Sequence, residues 1–421
     1  MKLQKIISRF QKLHPKAIDL SLDRIKSLCK KLGNPQDKIK AISVVGTNGK
    51  NSTINAMFSI LKEANFNCNA YTSPHILKIN ERFILNNEKL SDDELADLFE
   101  EVENINNNKP ITFFEILTAS YFYKAAQYPD NINLIEAGLF HRFDATNILK
   151  ENLASIITSI SKDHLDWLEK DQQTIEKIIF EKTSTLLKSK IIVAKQSSKK
   201  TMDCIKKTIY QNPSNKFFFN DDFSYSVGEN DFFYYEDKLG GLKLPMPNIL
   251  GQFQLENVST AIATLRNLDL AIKDEHIKRG ITRISSLARL QEIKSGKLKE
   301  LVKNNKLIID GTHNEDGARV LNEYLQSLNC NKHIIISMMA NKEHEKYISY
   351  FKDVSSITTI DLKTQPNSIN GKDLKEKFKN MPNVQYQPSI EQAIKSINLK
   401  KGDLLLITGS LYGAAEVLSL N

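Results

Sequence analysis

The sequence predicts an α/β protein in two parts, a larger N-terminal unit and a smaller C-terminal one. An apolar run at 41–45 breaks into a glycine-bearing turn and then a helical pattern. From Lys306 onward, short β-rich segments and helical segments alternate strictly, the signature of a mostly parallel sheet. A length of 421 residues also exceeds what one hydrophobic core usually serves.

Hydrophobic content of 41% and charged content of 26% are those of an ordinary soluble globular protein, which excludes a disordered chain. The formal charge of +8 is spread along the chain without a dense basic block, so anionic small molecules are the expected partners. No aromatic-basic module supports a nucleic-acid partner. Cys29, Cys68, Cys204 and Cys330 lie far apart, with neither C-x-x-C nor zinc-type spacing, and read as reduced thiols in a cytoplasmic protein. The first ten residues alternate charged and apolar groups, which suits a surface helix and lacks the apolar core of a signal peptide. No stretch approaches a membrane span, so no membrane partner is expected.

Taken in order, residues 1–38 predict two amphipathic helices and 41–45 a strand. The turn Gly46-Thr47-Asn48-Gly49-Lys50-Asn51-Ser52-Thr53 then leads into a helix over 54–64, with Ile54, Met57, Phe58 and Leu61 on one face. Such a turn can cradle phosphate: glycines let backbone N–H groups and the positive end of the next helix face one anion. Lys50 would reach the outer phosphates, and Ser52 or Thr53 would offer a hydroxyl to Mg2+. Val44 stands where the general G-x-x-x-x-G-K-[ST] loop has its first glycine, and Asn51 separates Lys50 from Ser52. On the turn alone, an ordinary strand-to-helix connection with a solvated lysine stays open.

A short strand at 69–71 runs into a loop, 72–83, that packs Thr72, Ser73, Pro74, His75 and Arg82 together, a composition suited to binding. An acidic helix with a solvated face is expected at 91–107 and an aromatic-rich core helix at 112–126. The strand 132–136 ends in Glu136 just before Ala137-Gly138, and the strand 154–159 leads to Asp163-His164; an acid and a histidine at two strand ends can converge on one metal. A helix at 174–187 carries Glu181-Lys182. The runs 217–219 and 232–235 read as core or sheet packing in preference to a ligand box. A long Ala-rich helix opens at 251–257, and near 285–291 the chain leaves this unit. Strands are then expected at 307–310, 333–337, 356–360, 384–386 and 403–408. The first closes with Asp310-Gly311-Thr312-His313-Asn314 and the last with Thr408-Gly409-Ser410-Leu411-Tyr412, two polar clusters that predict a site shared across a cleft.

Taken together, these segments resemble folylpolyglutamate synthase and dihydrofolate synthase of the Mur ligase superfamily. Gly46 to Ser52 is similar to that family's G-T-N-G-K-G-S loop, and Tyr71-Thr72-Ser73-Pro74-His75 with Asn80-Glu81-Arg82 to its Y-T-S-P-H and N-E-R segments. Glu136-Ala137-Gly138-Leu139, Asp144-Ala145-Thr146-Asn147, Asp163-His164-Leu165-Asp166-Trp167-Leu168, Glu181-Lys182, Asn257, Arg289, Asp310 to Asn314 and Thr408 to Tyr412 follow in the family's order. The resemblance implies a P-loop NTPase-like central domain over 1–288 and a C-terminal Rossmann-like glutamate ligase domain over 289–421. It implies an ATP-dependent ligase of folate biosynthesis that adds L-glutamate to dihydropteroate, or to the glutamate tail of folate, through an acyl phosphate. A Mur-type ligase of a peptidoglycan precursor, or a catalytically impaired nucleotide-binding homologue, are the alternatives.

Carried over to this chain, the resemblance implies that Thr47, Asn48, Gly49, Lys50, Asn51, Ser52, Asn257, Arg289 and Asp310 bind ATP. Ser52, Glu136, His164 and a carbamylated Lys182 would hold two Mg2+ ions; Thr72, Ser73, Pro74, His75 and Arg82 would line the pterin site; His313 and Ser410 would face glutamate. Lys50, Lys182 and His313 are the catalytic candidates, and a monomer is expected. Asn51, Phe140, His141, Glu169 and Ala288 replace glycines of the family pattern, and Asn341-Lys342-Glu343 stands for D-K-D. Asparagine tolerates left-handed backbone, so the loop is expected to survive Asn51; the other changes put bulk where backbone would approach a ligand.

Overall fold

The computed structural model describes residues 2–16, 19–229, 231–378, 381 and 383–421. The chain divides into two compact units. The first is Met1–His164, Leu168–Asn248 and Leu255–Ile284; the second is Leu165–Trp167, Ile249–Gln254 and Ser285–Asn421.

The first unit is built on an eight-stranded sheet: β1 (Lys40–Val45), β2 (Cys68–Tyr71), β3 (Phe83–Leu85), β4 (Glu88–Lys89), β5 (Ile132–Glu136), β6 (Ala154–Ile157), β7 (Lys190–Val193) and β8 (Asn215–Phe218), in spatial order β4-β3-β2-β5-β1-β6-β7-β8. β2, β5, β1, β6, β7 and β8 run parallel, and β3 and β4 add an antiparallel edge. Parallel strands are buried on both faces, and β1 shows it: every residue after Lys40 is enclosed. From β1 the chain fills one side of the sheet (β2, β3, β4, then back to β5) and afterwards the other (β6, β7, β8), a topological switch at whose carboxyl edge ligands collect in α/β sheets. Val44 of β1 is in register with Glu136 of β5, so the phosphate-loop candidate and the strand-end acid leave the sheet side by side.

The helices Asp92–Asn106 and Phe113–Ala125 start at Ser91 and Thr112, each closed by a capping box with Glu94 and Glu115. Their apolar residues join Leu3, Ile6 and Phe10 of the N-terminal helix in one core, where the Phe10 and Phe99 rings are 5.3 Å apart. The expectation of a solvated face over 91–107 is therefore only half of the helix: its other side buries Leu95, Leu98, Phe99 and Val102. The helix after the loop begins at Lys50, earlier than its apolar stripe suggested, and it is enclosed well beyond one face, with Phe58 only half-buried.

A separate antiparallel sheet joins β9 (Phe223–Val227), β10 (Phe232–Asp237) and β11 (Gly240–Pro245). In it the aromatic run alternates as a strand should, Phe233 and Tyr235 inward and Tyr234 outward. No helix among the described residues is long and apolar enough to cross a membrane.

The second unit carries β12 (Gln291–Ile293), β13 (Lys306–Ile309), β14 (Lys332–Ile336), β15 (Ser356–Ile360), β16 (Val384–Gln387) and β17 (Leu404–Thr408), ordered β12-β13-β17-β14-β15-β16. All neighbours are parallel except β12 with β13. The five strands expected from the sequence are the five parallel ones. β12 has three residues, too short to register as an alternating pattern.

Candidate active site

In the first unit the turn after β1 needs its glycines for lack of room. Gly46 has φ of 145°, and a Cβ there would lie 2.0 Å from Thr158 Oγ1; Gly49 has φ of 89°, and a Cβ there would lie 2.3 Å from Asn257 Oδ1. Gly49 thus lets the Asn257 side chain approach the loop. Thr47 N and Asn48 N donate to Ser159 O at 2.8 and 3.2 Å, and Thr47 Oγ1 donates to Ser161 O at 3.1 Å, which fixes the loop to the end of β6. Asn51 lies within the helix Lys50–Glu63 and is not among the residues with left-handed φ. The left-handed tolerance invoked for it is not needed, because the helix has already begun.

Lys50 Nζ donates to the carbonyls of Gly46 and Thr47, both at 3.2 Å, and stands 3.8 Å from Glu136 Oε1. The other carboxylate oxygen accepts Ser73 N at 3.2 Å. Glu136 therefore joins the phosphate-loop lysine to the loop 72–83. Within that loop Glu81 accepts Ile76 N, Leu77 N and Lys78 N, a local brace, and Arg82 Nε donates to His75 Nδ1 at 2.9 Å. Burial, with Arg82 adding to it, lowers the His75 pKa to about 4, so this ring is neutral at physiological pH. Thr72 Oγ1 donates to Glu81 O at 3.3 Å, and Pro74 follows Ser73 directly.

Lys182 is buried, donating to Gly46 O at 2.9 Å and Leu139 O at 2.8 Å. Burial first, and then the Lys50 charge, bring its pKa down to about 7. Phe140 is itself buried, its ring centroid 5.5 Å from Lys182 Nζ, and His141 is buried with Nδ1 3.1 Å from Thr185 Oγ1. The bulk that replaces two glycines here is thus taken up by packing. Glu169 precedes a short 3-10 turn, Lys170–Gln172.

Two acids do work that the sequence did not assign. Asp144 accepts Gly138 N, Leu139 N, Thr146 N and Thr146 Oγ1 at 2.9, 3.1, 2.9 and 2.6 Å, which shapes the turn after Glu136. Glu181 takes a bidentate pair from Arg142 at 2.7 and 2.9 Å. The D-x-T spacing of Asp144 and Thr146 was the available signal for the first.

The donors suit a hard cation in part. The Ser52 hydroxyl, in the first helical turn, and the Glu136 carboxylate are oxygen ligands of the kind Mg2+ takes. His164 has a left-handed φ of 57° and its N donates to Asp163 Oδ1 at 2.8 Å. As an ammonium, Lys182 is a donor only and cannot ligate a metal. Among the described residues no group of three or more His, Cys, Asp or Glu forms a ready-made metal cage.

In the second unit Asp310 is buried; Oδ2 accepts Leu290 N and Oδ1 accepts Thr312 N, both at 2.8 Å. His313 Nδ1 donates to Gly311 O at 2.9 Å. Buried Ser410 caps the helix Leu411–Leu420, accepting Tyr412 N at 3.1 Å. Tyr347 Oη lies 2.9 Å from Thr408 Oγ1, tying this strand end to the helix His344–Ile348.

The class is indicated by this second unit: residues 297–411 match the family described as Mur ligase, glutamate ligase domain. More particularly, the chain is similar to proteins named dihydrofolate synthase/folylpolyglutamate synthase. It is 29% identical to the protein of that name from Bacillus subtilis, with 94% of each chain covered, and 28% identical to that from Escherichia coli, with 98% of this chain and 94% of the relative covered. Among solved structures, the E. coli FolC in complex with DHPP and ADP superposes with a TM-score of 0.88 at 27% identity, over 99% of this chain and 97% of the other.

Proposed function

We propose that this protein is an ATP-dependent ligase that joins L-glutamate to dihydropteroate, to the glutamate tail of a tetrahydrofolate, or to both, acting as a cytoplasmic monomer. The observation that carries the reading is Glu136, whose one oxygen lies 3.8 Å from Lys50 Nζ while the other accepts Ser73 N at 3.2 Å. Phosphate-binding charge and the loop assigned to the acceptor substrate share one carboxylate. The names of the relatives agree with it.

A carboxylate does not condense with an amine until one of its oxygens becomes a leaving group. Transfer of the γ-phosphoryl group of ATP to that oxygen gives an acyl phosphate; the glutamate amine attacks the carbonyl carbon, and phosphate departs with the oxygen. Little covalent chemistry falls to the protein, which positions and neutralises. The N–H groups of the loop 46–52 and Lys50 receive the phosphates, exchanging the Gly46 and Thr47 carbonyls for phosphate oxygens. Asn257, Arg289 and Asp310 serve the nucleotide, Ser73 to His75 with Thr72 and Arg82 the pterin, and His313 and Ser410 the incoming glutamate. Ser52, Glu136 and His164 would hold Mg2+, which supplies positive charge on the phosphate oxygens. A lysine with a pKa near 7 is partly neutral at physiological pH, the form that can take up CO2, so Lys182 would join a second metal only as its carbamate.

ADP release measured with dihydropteroate plus glutamate, and separately with tetrahydrofolate plus glutamate, tests the reading. Glutamate-dependent release with either acceptor is expected. Tight ATP binding with release from neither would instead favour a nucleotide-binding protein without turnover.

A further inference from the structure

Arg289 sits in a backbone arrangement that its neighbours ought to refuse. Ala288 has φ of 52° and Leu290 has φ of 49°, the left-handed region that a residue with a Cβ rarely occupies and a branched side chain least of all. Both flanking side chains are buried, Leu290 within the core of the second unit, while Arg289 is half-exposed. Among the described residues Arg289 has no hydrogen-bond, ion-pair or ring partner. The turn persists because three contacts hold it: Gln291 Oε1 accepts Ala288 N at 2.9 Å, Asp310 Oδ2 accepts Leu290 N at 2.8 Å, and Gly311 N donates to Ala288 O at 2.9 Å. Pairing of Gln291 with Ile309 across β12 and β13 sets these groups beside one another.

We propose that Gln291 and Asp310 are positioning residues that clamp the strained turn 288–290 and thereby present the guanidinium of Arg289 to a nucleotide phosphate. Strained backbone kept by surrounding contacts, with a guanidinium at its apex that has no partner among the described residues, is the expected build of a preorganised anion contact. Beside any contact of its own with the nucleotide, Asp310 acts through the backbone, its oxygens accepting Leu290 N and Thr312 N. The inference rests on the reading that Arg289 serves ATP, and the experiment separates the two.

ADP affinity is measured by calorimetry on the full chain, with thermal unfolding alongside, for Arg289→Ala, Gln291→Leu, Gln291→Glu and the double variant Ala288→Gly/Gln291→Leu. Gln291→Leu is expected to weaken ADP about tenfold. Gln291→Glu, which keeps the acceptor, stays within about threefold of the parent, and adding Ala288→Gly to Gln291→Leu restores most of the affinity because glycine adopts the left-handed turn unaided. If Arg289→Ala leaves ADP binding unchanged, the reading of Arg289 falls. If Arg289→Ala weakens it while Gln291→Leu does not, or if the glycine restores nothing, the positioning role alone is overturned. Should Gln291→Leu fail to fold, the comparison of Gln291→Glu and the double variant with Arg289→Ala decides in the same way.

Discussion

The Lys50 ammonium lies 3.8 Å from the Glu136 carboxylate, with 13% and 4% of the two side chains exposed. So little water around a charged pair makes each group's field strong at short range, and it leaves the lysine aimed into the cradle instead of into solvent. Lys50→Ala is expected to lower turnover by about two to three orders of magnitude, as loss of a preorganised electrostatic donor does. Steady-state kinetics check it; normal turnover in a folded variant would remove the loop from the mechanism.

Glu136 can be separated from Lys50 by what each does to ligand-linked stability. Ligands that bind only the native state raise the melting temperature. Mg2+ added to the ADP-saturated protein should give a further rise, and Glu136→Gln should abolish that increment while leaving most of the rise due to ADP alone. Thermal unfolding with and without Mg2+ reads both, and an undiminished increment in the variant would take Glu136 out of the metal set.

Lys182 predicts a pH dependence of stability. Its folded pKa of about 7 lies below its ordinary value of 10.5, because burial and the Lys50 charge disfavour the ammonium. Between these values the unfolded chain binds more protons than the folded one, so this group's contribution rises with pH from about 7 to about 10.5. Below pH 7 its full cost is present. Lys182→Met should flatten that part of the profile in urea titrations, and an unchanged slope would mean that the amine is not held as described. In turnover, Lys182→Glu is expected to retain more activity than Lys182→Ala, since a carboxylate partly mimics a carbamate; equal loss would argue against the modified lysine.

Phe140 offers a test of packing. Its side chain is buried against Lys182, so truncation leaves a cavity and removes the ring from beside the cation. Phe140→Ala should cost roughly 3–5 kcal/mol in chemical denaturation. A cost under about 1 kcal/mol would show the ring to be dispensable, and the family's glycine a free alternative.

The parallel strands were legible because apolar runs bounded by Gly, Asn and Asp are strong signals, and β5 with its terminal Glu136 stands out as such a run. The hairpin edge β3–β4 and the antiparallel β12 were not, being two or three residues long. Within the site, Lys50 and Glu136 could be paired in advance only as groups at two strand ends; the bond from Ser73 N to Glu136 spans 63 positions and follows from strand order alone. Asp144 was visible as part of a motif, yet its four acceptor contacts depend on a turn that no propensity encodes. Ala288 is the clearest failure of local reasoning: alanine favours helices, and only tertiary contacts hold it left-handed.

The central claim, that ATP is used to phosphorylate a substrate carboxylate, is tested most directly by isotope transfer. Dihydropteroate, or tetrahydrofolate, labelled with 18O in the reacting carboxylate is turned over with unlabelled ATP and glutamate, and the released phosphate is examined by mass spectrometry. One labelled oxygen per phosphate, scaled to the carboxylate enrichment, is the predicted result. Phosphate free of label during glutamate-dependent turnover would contradict it.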